Sequence, residues 1–294
     1  MFVLKEHMVQ DAHSGSMLMD CVLKIFPEFP TRSSIKKAIK RGEILVNEKH
    51  ESSGYRIQTG QVISIIDMEN KPPKPLDLPL DIIFEDEHIA VINKPAGIEV
   101  SGNKYYSIQN ALVSNISKSV EPDALAWAKP VHRLDYPTSG LLLIAKTRSA
   151  LVSLGKQFEN RLVKKRYRAL VSGRLDEPGT IETDVNEQNA LTSFNPLYYI
   201  RSLKTQWITE VDLFPRTGRK HQLRIHMASI GNPVVGEKNY GSGPVLKGKG
   251  LFLASVELTF NHPKTKQEIT IELDPPTKFK IFMEKEQNRW DQQQ

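Results

Sequence analysis

Val131-His132-Arg133-Leu134-Asp135-Tyr136-Pro137-Thr138-Ser139-Gly140 puts a carboxylate in a turn of Pro, Thr, Ser and Gly, just before the apolar run Leu141 to Ala145. Backbone amides and hydroxyls of such a turn can hold a carboxylate. The plainer reading is an Asx-turn that only shapes the loop. Arg133, two residues earlier, adds a cation for an anionic ligand, though solvated Arg-x-Asp pairs are common. In Lys164-Lys165-Arg166-Tyr167-Arg168-Ala169-Leu170-Val171-Ser172-Gly173, strand alternation puts Arg166 and Arg168 on one face and Tyr167 and Ala169 on the other. A ring among cations can stack on a base while the cations meet phosphates. A half-buried core tyrosine with solvated cations on an edge strand explains the same residues.

A third segment, Pro215-Arg216-Thr217-Gly218-Arg219-Lys220-His221-Gln222-Leu223-Arg224-Ile225-His226, ends a strand in a glycine turn and opens a helix. Arg219, Lys220 and Arg224 near that helix start suit an anion, as they would suit a solvated basic turn. His221 and His226 are five apart and do not share a helical face as a metal pair would. The single cysteine, Cys21, excludes CxxC metal sites and any internal disulfide. GxxxxGK[ST], a strand-anchored GxGxxG and GxSxG are all missing, which argues against ATP, dinucleotide and elbow-type hydrolase chemistry.

The elements that must position these residues follow from periodicity. Leu18, Val22 and Ile25 mark a helix ending near Pro27. Thr31 can cap a second helix, Arg32 to Arg41, which Gly42 terminates. Its Arg32, Lys36, Lys37, Lys40 and Arg41 carry five positive charges with no acid between them, which suits phosphates and equally an ordinary solvated helix face. Glu43–Asn47 and Gln61–Ile66 read as strands, so 14–67 forms a small α+β module. Residues 68–80, with four prolines, read as a semi-rigid linker. Beyond it, strands are expected at 81–84, 88–94, 140–146, 165–171, 206–214, 251–260 and 268–273. Helices are expected from Ile108 to Ile116 and at 149–162 and 221–229, with a frayed tail at 289–294. Distant strands with few βαβ units predict a mixed, mainly antiparallel α+β domain over 81–285.

The chain has 294 residues, 39% of them hydrophobic and 25% charged, and a net charge of +6. Those values fit a two-domain globular protein with a lean towards polyanions. The absence of a bilayer-length apolar run and of a signal-like N-terminus leads to the expectation of a cytoplasmic protein away from membranes.

The segment 14–67 resembles the RNA-binding module of the ribosomal protein S-four family, on "GEILVNEK", "IQTGQVISI" and the basic helix. Leu18-Met19-Asp20 stands where that family usually has Arg-Leu-Asp. The larger part resembles the RluA family of RNA pseudouridine synthases. His132 to Lys146 matches HRLDxxTSGLLLxAK at every fixed position, and Lys165 to Gly173 matches KxYxAxVxG. Thr217 to Gly241 matches TGRxHQxRxHxxxxGxPxxGDxxYG at all positions but one, and Lys94 to Gly97 matches KPxG. Glu237 replaces a usual Asp, Ser101-Gly102 a usual His-Pro, and Leu253-Ala254-Ser255 the common Leu-His-Ala.

The resemblance implies isomerisation of uridine to pseudouridine without cofactor or metal. It implies Asp135 as the catalytic carboxylate, with attack on the sugar, addition to the ring and elimination all open. Tyr167 would stack on the base and move a proton, Arg224 would pair with Asp135, and Arg133 would fill the gap left by the extruded nucleotide. The expected partner is RNA, large-subunit rRNA first and tRNA second, bound by a monomer. A non-catalytic RNA-binding or ribosome-assembly factor on the same fold is the rival reading.

Overall fold

The computed structural model describes residues 3–27, 29–66, 73–102, 104–241 and 250–293. The chain divides into two compact units, Met1–Pro72 and Pro73–Gln294. Residues 68–72 of the expected linker and 242–249 of the glycine-containing stretch 241–250 lie outside the described residues.

In the first unit, β1 (Val3–Met8), β2 (Ile44–Val46) and β3 (Val62–Ile66) form an antiparallel sheet in the order β1-β3-β2. Thus β1 precedes the 14–67 stretch marked out from sequence. Helix α1 (Leu18–Ile25) and helix α2 (Arg32–Arg41) bury Leu18, Cys21, Val22, Ile35 and Ala38 with Ile44, Val46 and Ile63 of the strands. Local chemistry sets both ends of α2. Thr31 Oγ1 accepts from the Ser34 amide at 3.1 Å, and Ser34 Oγ accepts from the Thr31 amide at 3.2 Å. At the other end Gly42 takes φ 80°, and a Cβ there would lie 2.6 Å from His50 Cε1.

The second unit is built on one mixed sheet of ten strands. Its strands are β4 (Asp81–Glu85), β5 (Ile89–Lys94), β6 (Ala124–Pro130), β7 (Ser139–Thr147) and β8 (Lys164–Ser172). They continue as β9 (Gly179–Glu182), β10 (Leu191–Ser202), β11 (Gln206–Pro215), β12 (Leu253–Asn261) and β13 (Glu268–Glu272). The main path is β4-β5-β7-β12-β8-β11-β10-β9, with β6 on β7 and β13 on β12. Among the described strands only β7 and β12 pair in parallel, through Ser139–Ala254 and Gly140–Ser255. Helices α3 (Ile108–Asn115), α4 (Arg148–Glu159), α5 (Gln222–Ser229) and α6 (Lys278–Asp291) accompany the sheet. The fold is α+β, as the strand pattern predicts.

Several expectations need correction. β6, β9, β10 and α6 were not foreseen. Pro196 hides β10 from a strand search, and a register shift between Pro196 and Tyr198 accommodates it. The tail at 289–294 is not frayed through 291, because α6 continues to Asp291 and Arg289 Nη1 donates to Glu286 Oε1 at 2.7 Å. Residues 73–80, expected as spacer, lie on the second unit. Leu76 and Leu80 are buried, and their amides donate to Asn110 O at 3.2 Å and Asn115 Oδ1 at 2.8 Å.

Candidate active site

Asp135 sits in the loop between β6 and β7, and the backbone around it is held from three sides. Its carbonyl accepts from the Thr138 amide at 3.0 Å, and the Tyr136 carbonyl accepts from the Gly97 amide at 2.8 Å. Lys94, at the end of β5 and fully buried, donates from Nζ to Thr138 O at 2.8 Å and Pro95 O at 2.9 Å. Burial lowers the Lys94 ammonium to about 8, against the opposing pull of Glu99 and Asp135. Gly140 closes the loop at φ 105°, where any Cβ would meet Ser255 O at 2.1 Å. The close approach of β7 and β12 therefore requires glycine.

The signature around Asp135 separates by role. His132 is a half-buried acceptor, since its Nε2 takes the Leu143 amide at 3.0 Å and its ring stacks on Phe158 at 4.7 Å. Burial, reinforced by Lys165, lowers it to about 3, so it is neutral. Lys146 bonds Glu85 Oε1 at 2.8 Å. Arg133 and Asp135 line the cleft.

Arg224, on α5, faces Asp135 with Nη1 3.8 Å from Oδ2. Its stronger bonds go elsewhere: Nε donates to Glu237 Oε2 at 2.6 Å and Nη2 to Glu237 Oε1 at 2.8 Å. Glu237 Oε1 also accepts the Lys238 and Asn239 amides at 2.9 and 2.8 Å. Burial opposes ionisation of Glu237, but the guanidinium and these amides hold its carboxyl below the usual range. A buried two-pronged clamp thus aims Arg224, leaving one nitrogen towards Asp135. Glu237, a departure from the family's usual Asp, was not recognised in this role from sequence. Its place thirteen residues beyond Arg224 gives no periodic signal.

His221 Nε2 lies 3.8 Å from Asp135 Oδ1, and its Nδ1 is 2.7 Å from the Tyr240 hydroxyl. Burial lowers its basicity while Asp135 raises it. Sequence reading considered His221 only as a metal ligand. His226 is buried between Thr192 Oγ1 at 2.9 Å and Thr183 O at 3.0 Å. Gln222, also missed, shapes the turn by accepting from Thr217 Oγ1 at 2.7 Å and the Arg219 amide at 3.0 Å.

Tyr167 projects from β8 opposite Ser255 of β12 and Leu213 of β11. Burial first, and the Asp135 charge second, push its hydroxyl well above the usual tyrosine range, so it stays protonated. Arg166 and Arg168 take the opposite face, as strand alternation requires. They are not solvated, and β8 is not an edge. Arg168 binds Asp212 and Glu210 at 2.8 Å each, and Arg166 binds Glu257 at 2.8 Å. The reading of these two arginines as cations flanking a stacking tyrosine is therefore corrected.

Asp135, Tyr167 and Arg224 converge on one cleft of about 540 Å³, with Arg133, Arg219 and Lys220 in its lining. Arg161, Lys165 and Arg216 join them there without having been singled out from sequence. Such a volume suits a small-molecule-sized guest such as one nucleotide. The helix cations lie on the first unit. Arg32 Nη2 pairs with Asp20 Oδ1 at 2.9 Å and Arg41 with Glu43, while Lys36, Lys37 and Lys40 are exposed and unpaired among the described residues.

The family model described as RNA pseudouridylate synthase matches residues 88–229. The chain is 32% identical over 286 residues to an uncharacterized RNA pseudouridine synthase of Aquifex aeolicus, covering 87% of this chain and 89% of the relative. It is 34% identical over 269 residues to ribosomal large subunit pseudouridine synthase C of Vibrio vulnificus, covering 82% and 83%. It is 31% identical over 290 residues to ribosomal large subunit pseudouridine synthase D of Neisseria meningitidis serogroup B, covering 90% and 76%. The structure of human RNA pseudouridylate synthase domain containing 1 shares the fold, with a TM-score of 0.56 and 24% identity over 67% of this chain and 84% of that one. Set beside the motifs and the fold, these likenesses identify the chain as a member of the RluA-type family of RNA pseudouridine synthases, isomerases that convert uridine into pseudouridine in RNA.

Proposed function

We propose that this enzyme modifies large-subunit rRNA and that Asp135 is its catalytic carboxylate. The observation that carries the reading is the convergence of Asp135, Tyr167 and the Glu237-clamped Arg224 on one cleft. The named large-subunit synthases among the relatives support the substrate class. tRNA is the second substrate to test.

The reaction breaks the bond from N1 to the sugar, turns the base and joins C5 to the same sugar carbon. The proton lost from C5 is matched by one gained at N1, and nothing is oxidised. A carboxylate suffices for such a sequence. Arg224 faces Asp135 as a counter-ion and is itself held in place by Glu237. Tyr167 stacks on the base. Its proton is retained partly because Asp135 is charged, so its hydroxyl gives up that proton more readily once Asp135 has been consumed in a neutral covalent link. The cations Arg133, Arg219 and Lys220 meet the backbone of the RNA, and Arg133 replaces the extruded nucleotide in the stack. In the first unit, Lys36, Lys37 and Lys40 add phosphate contacts on α2, with Arg32 and Arg41 partly engaged by acids. Residues 14–67 act as an RNA-binding module resembling ribosomal protein S-four, and the protein works as a cytoplasmic monomer.

Asp135→Asn keeps the shape and removes the nucleophile. Tritium release from uracil-labelled, unmodified large-subunit rRNA transcript is expected to vanish while RNA binding persists. Measurable turnover by a clean preparation removes Asp135 from this role.

A further inference from the structure

The catalytic unit answers nearly every buried positive charge. Arg224 has Glu237, Lys94 has two carbonyls, and Arg166 and Arg168 have carboxylates. Lys165 is different. It is half-buried on β8 and lines the cleft, and its ammonium has no hydrogen bond or ion pair among the described residues. The cleft lining holds two acids, Asp135 and Glu159, but neither forms an ion pair with Lys165, His132 Nε2 already takes the Leu143 amide, and Phe158 is apolar. Burial accordingly pushes the ammonium below its ordinary value. An unanswered cation in a low-dielectric site is costly unless an anion arrives.

Lys165 stands two residues from Tyr167, so both project from the same face of β8. The rise along a strand puts their backbones roughly 6–7 Å apart, comparable to the distance from a base to its own phosphate. With Tyr167 under the base, the ammonium falls where the backbone of that nucleotide must pass. The nucleotide offers several acceptors, but only its phosphodiester carries the full negative charge that matches an ammonium.

We propose that Lys165 is the seat of a backbone phosphate belonging to the extruded uridine, a phosphate subsite inside the cleft and separate from the basic residues at its rim. It rests on the assignment of this cleft as the active site. In this role Lys165 fixes how deeply the nucleotide enters, and it takes no part in bond making.

The test uses the full-length protein and a short stem-loop carrying the uridine found by mapping pseudouridines in RNA from deletion and parent strains. Lys165→Gln is expected to raise KM by about tenfold or more, as for loss of one charged hydrogen bond, with kcat nearly unchanged. The slope of log affinity against log salt should become shallower by about 0.7, one phosphate contact on a single strand. Lys165→Arg restores both. Lys165→Met, which keeps an apolar stem, is measured alongside with the melting temperature of each variant, so that a folding defect in one does not decide the result. An unchanged KM and slope overturn the proposal. A fall in kcat alone also overturns it, because Lys165 then serves the chemical step. Failure of Lys165→Arg to rescue means that shape, not charge, is at stake, and it is a third disproof. Asp135→Asn runs in parallel: if it turns over, the cleft assignment itself fails, whatever the Lys165 slopes show.

Discussion

Helices α2 and α5 carry the same kinds of cation under opposite conditions. On α2, Lys36, Lys37 and Lys40 stand in solvent, and Arg32 pairs with Asp20 across exposed surface. On α5, Arg224 is 5% exposed and gripped by a carboxylate that two backbone amides hold in turn. Exposed charges are screened and interchangeable, so they attract a polyanion without fixing any atom of it. A buried, doubly bonded charge is fixed in place, and it can orient a neighbouring carboxylate. The same residue type thus serves attraction in one unit and geometry in the other.

The contrast can be broken at several points. Tyr167→Phe keeps the ring and removes the hydroxyl. Turnover measured by tritium release should fall by about 10²–10⁴-fold, with RNA binding retained in a filter assay. Near-normal turnover would reduce Tyr167 to a stacking residue.

Glu237→Ala strips the clamp from Arg224 and leaves a buried guanidinium without its main partner. Such a loss costs roughly 3–5 kcal/mol of stability, readable in denaturant unfolding, and turnover should drop in the fraction that remains folded. A stability loss below about 1 kcal/mol would mean that Arg224 is not fixed as described.

The smallest effect is expected on α2. Replacing Lys36, Lys37 and Lys40 with Gln should leave folding and short stem-loop turnover intact. The salt dependence of binding to long rRNA should flatten by about 0.7–0.9 per lost contact. An unchanged slope would leave α2 a solvated face, and an equal loss on both substrates would erase the distinction between the two helices.

How far the sequence could be read follows the same division. Helix α2 was legible to the residue, because Thr31, Ser34 and Gly42 act within one turn of its ends. β10 was not, since Pro196 argues against a strand and only its pairing with β11 and β9 overrides that local signal. Helix α6 was hidden by its charge, although Phe279, Phe282, Met283 and Glu286 share one buried face. Ordered motifs put forward Asp135, Tyr167 and Arg224, and the fold brings all three to one cleft. Those motifs did not distinguish residues that face the cleft from those that brace it. Lys146 stands in the same string as Asp135, yet it lies off the cleft and holds an acid. Nor could spacing reveal that Arg166 and Arg168 meet acids from β11, β12 and β13.

The two halves of the catalytic sheet meet where β7 and β12 run parallel, and Gly140 is pressed against Ser255 there. The paired residues, Ser139 with Ala254, are roughly 115 positions apart in the chain, a long-range closure of the kind that slows folding. On the ribosome that separation becomes a delay. The Asp135 loop is synthesised early, but its brace arrives only when β12 has emerged. The cleft proposed as the active site is therefore completed only once β12 has followed β7 off the ribosome, and a chain released before β12 carries the motif without the brace at Ser255.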